Sequence, residues 1–78
     1  MQWMNHLQEY LREELADCMK YAEIAKNVTG TDRQILHDMS KEECQHATHI
    51  CHIMKEHGIQ RDTNEDEVFA KAMHILYE

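Results

Sequence analysis

The sequence predicts an all-α fold: a long antiparallel helical hairpin followed by a short third helix. Three observations lead there. The 78 residues include no proline and only two glycines, so turn-forming residues are nearly absent. Two long stretches repeat apolar residues at steps of three and four, which is a helix period and not a strand alternation. Gly30 and Gly58, the two glycines, fall where those stretches stop. The length fits one small domain covering 1–78. A chain near 60 residues buries only about 60% of its unfolded surface, so a monomer of this size is expected to need a metal, disulfides or a partner.

The first helix is expected over about 2–27, with a stripe of Met4, Leu7, Leu11, Glu14, Cys18, Tyr21, Ala25 and Val28. It stops at Asn27–Thr31, where Gly30 suits the left-handed residue that follows a helix end. Thr31 and Gln34 then form a capping-box pattern, which starts the second helix over about 32–57. Its stripe is Leu36, Met39, Glu43, His46, Ile50, Ile53 and His57. The third helix is expected over about 64–77, with Thr63 or Asn64 as N-cap and Glu65, Asp66 and Glu67 favouring its positive N-terminus. Val68, Phe69, Ala72, Met73, Leu76 and Tyr77 supply its apolar face.

Composition excludes several functions. A hydrophobic content of 42% rules out a wholly disordered chain. The net charge of −7 argues against a nucleic-acid or anionic-membrane surface. No apolar run reaches the roughly 18 residues of a membrane span, and the N-terminus (MQWMNHLQEY) lacks a basic-then-apolar leader. Cys18, Cys44 and Cys51, an odd set, do not suggest a disulfide framework. The expectation is a cytoplasmic protein with free thiols, in which Cys18 fills core space.

Both stripes are apolar except at their centres, where Glu14 sits in the first and Glu43 and His46 in the second. A carboxylate buried without a partner costs several kcal/mol or becomes neutral, so these groups need a cation, a hydrogen-bond network or water. The midpoint of Glu14 and Glu43 falls at 28.5, inside the turn, so an antiparallel hairpin places them level. His46 lies one turn further along the same face. A Glu opposite a Glu-x-x-His is half the ligand set of the four-helix carboxylate proteins, which hold two iron or manganese ions in the bundle core. A two-fold dimer would complete that set and bury both stripes. Two other readings stand beside it: a buried Glu–His–Glu network that only fixes dimer register, and solvated charge on an exposed helix. His49 and His52 drift off the face and are expected at the surface or an interface, with an auxiliary metal site as the lesser alternative, and His6, His37, His57 and His74 are weaker candidates for such a site. Glu9, Asp17 and Glu42 are expected to be solvated, the methionines to fill core or interface, and Trp3 to pack across a subunit interface.

The stretches E-E-L-A-D-C-M-K-Y (Glu13–Tyr21) and K-E-E-C-Q-H-A (Lys41–Ala47) resemble the ferritin-like superfamily. The nearest likeness is to rubrerythrin-type domains and to the encapsulated ferritins built from two long helices and a short third. The resemblance covers about residues 7–57. It implies that Glu14, Glu43 and His46 ligate a di-iron ferroxidase centre shared between subunits, with manganese or zinc as substitutes. Tyr21 and Glu13 would then lie just outside the ligands. It further implies iron oxidation and storage, homodimers that assemble into rings, and an encapsulin shell as partner and compartment. Ala16 and Lys20 stand where that family has a second outer carboxylate and an aromatic gate, and no shell-targeting tail follows Glu78. A rubrerythrin-like peroxide scavenger would use the same ligands but need an electron donor. With no Cys-x-x-Cys pair, that donor is expected to be a separate protein.

Overall fold

The computed structural model describes residues 3–77. A 3₁₀ turn over Trp3–His6 leads into α1 (Leu7–Lys26), followed by α2 (Gly30–Glu56) and α3 (Glu65–Tyr77). The described residues contain no strand. Helices α1 and α2 run antiparallel as a hairpin, and α3 packs along both within an envelope of 44 × 20 × 15 Å. The predicted all-α class and the order of three helices hold. No described helix is long and apolar enough to cross a membrane.

The helix ends follow local chemistry. At the end of α2, the Ile59 N–H bonds the Met54 carbonyl at 2.8 Å and the Gly58 N–H bonds the Lys55 carbonyl at 3.2 Å. This is the double bond of a Schellman cap. It requires a left-handed residue, and Gly58 supplies one with φ +68°. Ile59, just beyond the cap, packs back onto the cluster that contains Met54. Asn64 caps α3, its Oδ1 accepting the Glu67 N–H at 3.2 Å.

The start of α2 differs from expectation. Gly30 is left-handed, with φ +65°, but it opens α2 and does not close α1. α1 ends at Lys26, and the Asn27 Nδ2 donates to the Glu23 carbonyl at 3.0 Å. Thr29 is the N-cap and makes no side-chain cap bond, so the Thr31–Gln34 capping box is not used. Gln34 Nε2 instead donates to Asp38 at 2.9 Å.

Two clusters of buried side chains form the core. Leu7, Leu11, Leu15, Ala47, Cys51 and Met54 fill the open end of the hairpin, with Val68 and Phe69 of α3 packed on them. Cys18, Ala22, Ala25, Ala72 and Leu76 fill the end near the turn. Thus α3 runs parallel to α1. The buried line on α2 is Ser40, Ala47, Cys51 and Met54. The expected stripe was Leu36, Met39, Glu43, His46, Ile50 and Ile53, so the core is rotated by one position, about 100° around the helix. The cause is α3, which draws the core toward its own side of the hairpin. The expected stripe becomes the edge of the core on the flank away from α3: Leu36, Ile50 and Ile53 pack half-buried on the two clusters, His46 is exposed, and Tyr10, Ile24 and Ile35 are exposed along the same flank.

Cys18 and Cys44 are joined by a disulfide between α1 and α2, with their Cα atoms 5.4 Å apart. This corrects the expectation of three free thiols; Cys51 is the free one, and it is buried. The hairpin register puts Cys18 and Cys44 at one level on facing helices, which spacing along the chain does not reveal. Ser40, fully buried beside them, donates from Oγ to the Cys18 carbonyl at 2.7 Å. Trp3 packs edge-on against His57, 5.2 Å between ring centres, within its own chain. The loop before α3 is tied to α1 by Arg12–Asp62 at 2.6 Å and by Gln8, which bonds the Gln60 carbonyl and the Asp62 N–H.

Candidate metal centre

Glu14 comes from the middle of α1, and Glu43 and His46 from the middle of α2 one turn apart. The antiparallel register brings one ligand atom from each within 4.8 Å of the others. His46 Nδ1 lies 3.4 Å from Glu14 Oε2 and 3.7 Å from Glu43 Oε1. The sequence placed these three residues together, and in the fold they are together. Among the described residues they form the one group of three or more His, Cys, Asp or Glu side chains close enough to hold a metal ion.

The site is graded in exposure. The side chains of Glu14 and Glu43 are 27% and 21% exposed, whereas that of His46 is 54% exposed. The carboxylates therefore sit against the hairpin and the imidazole stands at its open edge. Glu43 is held protonated up to about pH 7: first by its hydrogen bond with Glu14, then by burial and the charge of Glu14, against an opposing effect of His46. Asp17, one turn along α1 from Glu14, adds a smaller push in the same direction. A cation bound beside Glu14 and Glu43 would relieve the repulsion that keeps Glu43 protonated. Glu14 Oε2 is buried and makes no full hydrogen bond, its nearest basic neighbour being His46 Nδ1 at 3.4 Å.

Two oxygens and one imidazole nitrogen suit iron, manganese or zinc. The set fits a divalent metal but is short for one: three side chains leave half of an octahedral shell to water or to another chain. The other assigned residues stay outside. Tyr21 is half-buried on the same flank, two turns beyond Glu14, and Glu13 is exposed; neither belongs to the cluster. Asp17 was expected to be solvated and is instead half-buried. Its signal in the sequence was its position three residues after Glu14. His49 and His52 are exposed, as expected, and His52 pairs with Glu56 at 3.0 Å.

No protein-family model matches the chain, and no solved structure matches it.

Proposed function

We propose that the chain is a half-bundle that binds iron between two copies and oxidises Fe(II), in the manner of the ferritin-like proteins its motifs resemble. One observation carries this reading: Glu14, Glu43 and His46 offer ligand atoms within 4.8 Å of one another on a face that α3 leaves uncovered. The buried Glu14 Oε2, which makes no full hydrogen bond and has only His46 Nδ1 near it, supports it. So does the shortage of ligands, since a second copy related by a two-fold axis would double three donors to six. The exposed Tyr10, Ile24 and Ile35 on the same flank would be covered by that copy.

In this reading Fe(II) is the substrate, and dioxygen or peroxide takes its electrons. The residues have distinct tasks. Glu43 gives up its shared proton when iron binds, so the carboxylate pair moves from a neutralised hydrogen bond to a doubly charged cradle. Glu14, fixed in the middle of α1, holds the iron against the hairpin. His46 binds through the nitrogen nearest the carboxylates, at the open edge where iron arrives. The apolar flank around the cluster limits water, and the acidic surface favours cations. Storage, larger rings and an encapsulin shell are further levels of the same proposal. Peroxide scavenging would use the same ligands.

The test is iron content per chain after anaerobic Fe(II) loading and desalting, with molar mass from light scattering on the same sample. The expected result is about one iron per chain in a species of dimer size or larger. Glu43→Ala should abolish binding, and Glu14→Ala and His46→Ala should weaken it strongly. Iron uptake unchanged in all three variants would overturn the proposal. A second reading is favoured by the shared proton itself: the Glu14–Glu43 hydrogen bond can serve as a polar lock that sets dimer register. It predicts metal-free dimers that chelators do not disturb.

A further inference from the structure

We infer that Cys18 and Cys44 are an internal two-electron donor that returns ferric iron at the neighbouring carboxylate–histidine cluster to the ferrous state. This rests on the proposed iron-binding reading. The disulfide joins the same two helices that supply the ligands. Cys18 follows Glu14 by four residues, which stacks the two on one side of α1 with Cβ atoms roughly 5–6 Å apart. Cys44 is the chain neighbour of Glu43. The sulfur pair thus bridges the two helices that carry the ligands and packs with Ala72 and Leu76 of α3.

Other features mark the pair as more than a staple. Cys18 is fully buried, so its sulfur is shielded from chance oxidants, whereas Cys44 is half-buried at the edge of the same cluster. Ser40, also fully buried, brings its hydroxyl to 3.8 Å from the Cys18 sulfur in an otherwise apolar layer. That hydroxyl donates to the Cys18 carbonyl and leaves its oxygen lone pairs facing the sulfur, where a thiol S–H can find an acceptor. Cys51 does not share this position. It lies eight residues from Glu43, about 12 Å along α2, among Arg61, Glu65 and Phe69.

The step balances without another reactant. The two S–H bonds break, one S–S bond forms, and each of two ferric ions takes one electron to become ferrous. Two protons leave through the open edge of the cluster to water. One dithiol therefore serves two ferric ions, and the disulfide in this structure is the spent form. Ferrous iron binds carboxylates less tightly than ferric iron, so the step would couple thiol oxidation to iron release. The electron donor for a peroxide-scavenging cycle would then lie within the chain and not in a separate protein.

The full chain is reduced with a phosphine, freed of reductant without oxygen, and given two ferric citrate ions per chain with a ferrous-specific chelator present. Free thiols are counted by alkylation and mass spectrometry. They should fall from three per chain to one, with the new bond mapped to Cys18–Cys44 and two ferrous ions trapped. Cys51→Ser should keep both the rate and the yield of ferrous iron. Cys18→Ser and Cys44→Ser should each abolish the fast phase. Glu43→Gln, which keeps every thiol, should slow it by roughly tenfold or more. Wild-type protein that binds iron but keeps three thiols would overturn this inference and leave the iron site standing. Glu43→Gln reacting at the wild-type rate would also overturn it, because the thiols would be meeting iron without the cluster. Reduced protein that binds no iron at all would overturn both readings together.

Discussion

The Glu14–Glu43 hydrogen bond makes a signed prediction about the metal-free protein. Glu43 is raised from an ordinary value of 4.5 to about 7, chiefly by that bond. Each unit is worth about 1.4 kcal/mol, which sets a ceiling of roughly 3 kcal/mol. The side chain is 21% exposed, so water screens part of the effect; a contribution of about 1–2 kcal/mol is expected. Unfolded, Glu43 releases its proton near pH 4.5; folded, near pH 7. The folded chain therefore holds more protons between these values, and its stability falls as pH rises through that window. Glu43→Gln mimics the protonated carboxyl: the amide N–H donates to Glu14 and carries no charge at any pH. Urea unfolding of both proteins with chelator present, at several pH values from 5 to 8, isolates the term. The two should be nearly equal at pH 5, and the variant should be more stable by about 1–2 kcal/mol at pH 8. Added Mn(II) should reverse the wild-type trend, because binding requires both carboxylates ionised, and leave the variant unmoved. Wild type and variant curves that run parallel across the whole window would refute the shared-proton argument.

Two further predictions concern the frame that holds the site. Leu11 is fully buried at the centre of the larger cluster; Leu11→Ala should cost about 2–5 kcal/mol, read as a drop in urea midpoint at unchanged slope. Opening the Cys18–Cys44 bond restores loop entropy over a sequence separation of 26. In the chain-entropy account this is worth about 3 kcal/mol, so thermal melts with and without phosphine should separate clearly, while Cys51→Ser alone should leave the difference intact.

Much of this architecture was legible in the sequence because the signals were local. Gly58 and Asn64 are read from their own neighbourhoods, and both perform the capping expected of them. The level placement of Glu14 against Glu43 needed only the turn position and helix rise. What escaped depended on the third helix. A heptad reading of α1 includes Leu11, Cys18 and Ala25, which belong both to the true core and to the flank's edge. It therefore cannot say on which side the centre of the core lies. On α2 the ambiguity was resolved wrongly, because the residues buried there include Ser40, Ala47 and Cys51, small side chains that draw less notice than Leu36, Ile50 and Ile53. Small residues are what a close helix contact requires, so the quieter stripe was the real seam. The disulfide was missed for a related reason. An odd number of cysteines argues against a framework of pairs, yet one pair needs only two residues brought level by the fold.

That rotation bears on the proposed function. Had the carboxylates lain in the seam between α1, α2 and α3, they would be enclosed by one chain, and a polar lock would account for them. Instead α3 covers the Ser40–Cys51 side and leaves Glu14, Glu43 and His46 on the flank, with the imidazole half in water. A polar lock that sets dimer register would lie on the same flank, and it differs from the metal site in predicting a dimer indifferent to metal. A ligand set shared with a second copy has to lie on such a flank, where that copy can reach it. Exposed isoleucines and half-buried carboxylates on one flank are costly together in an isolated chain; in the proposed dimer the apolar groups are covered and the carboxylates are neutralised by iron in the same event. Assembly and metal binding should therefore be thermodynamically linked, with each metal bound tightening the dimer and each dimer formed raising metal affinity by the same factor. Sedimentation across a range of protein concentrations, with Mn(II) and with chelator, measures that factor directly. A dimer constant indifferent to metal would remove the shared site from consideration.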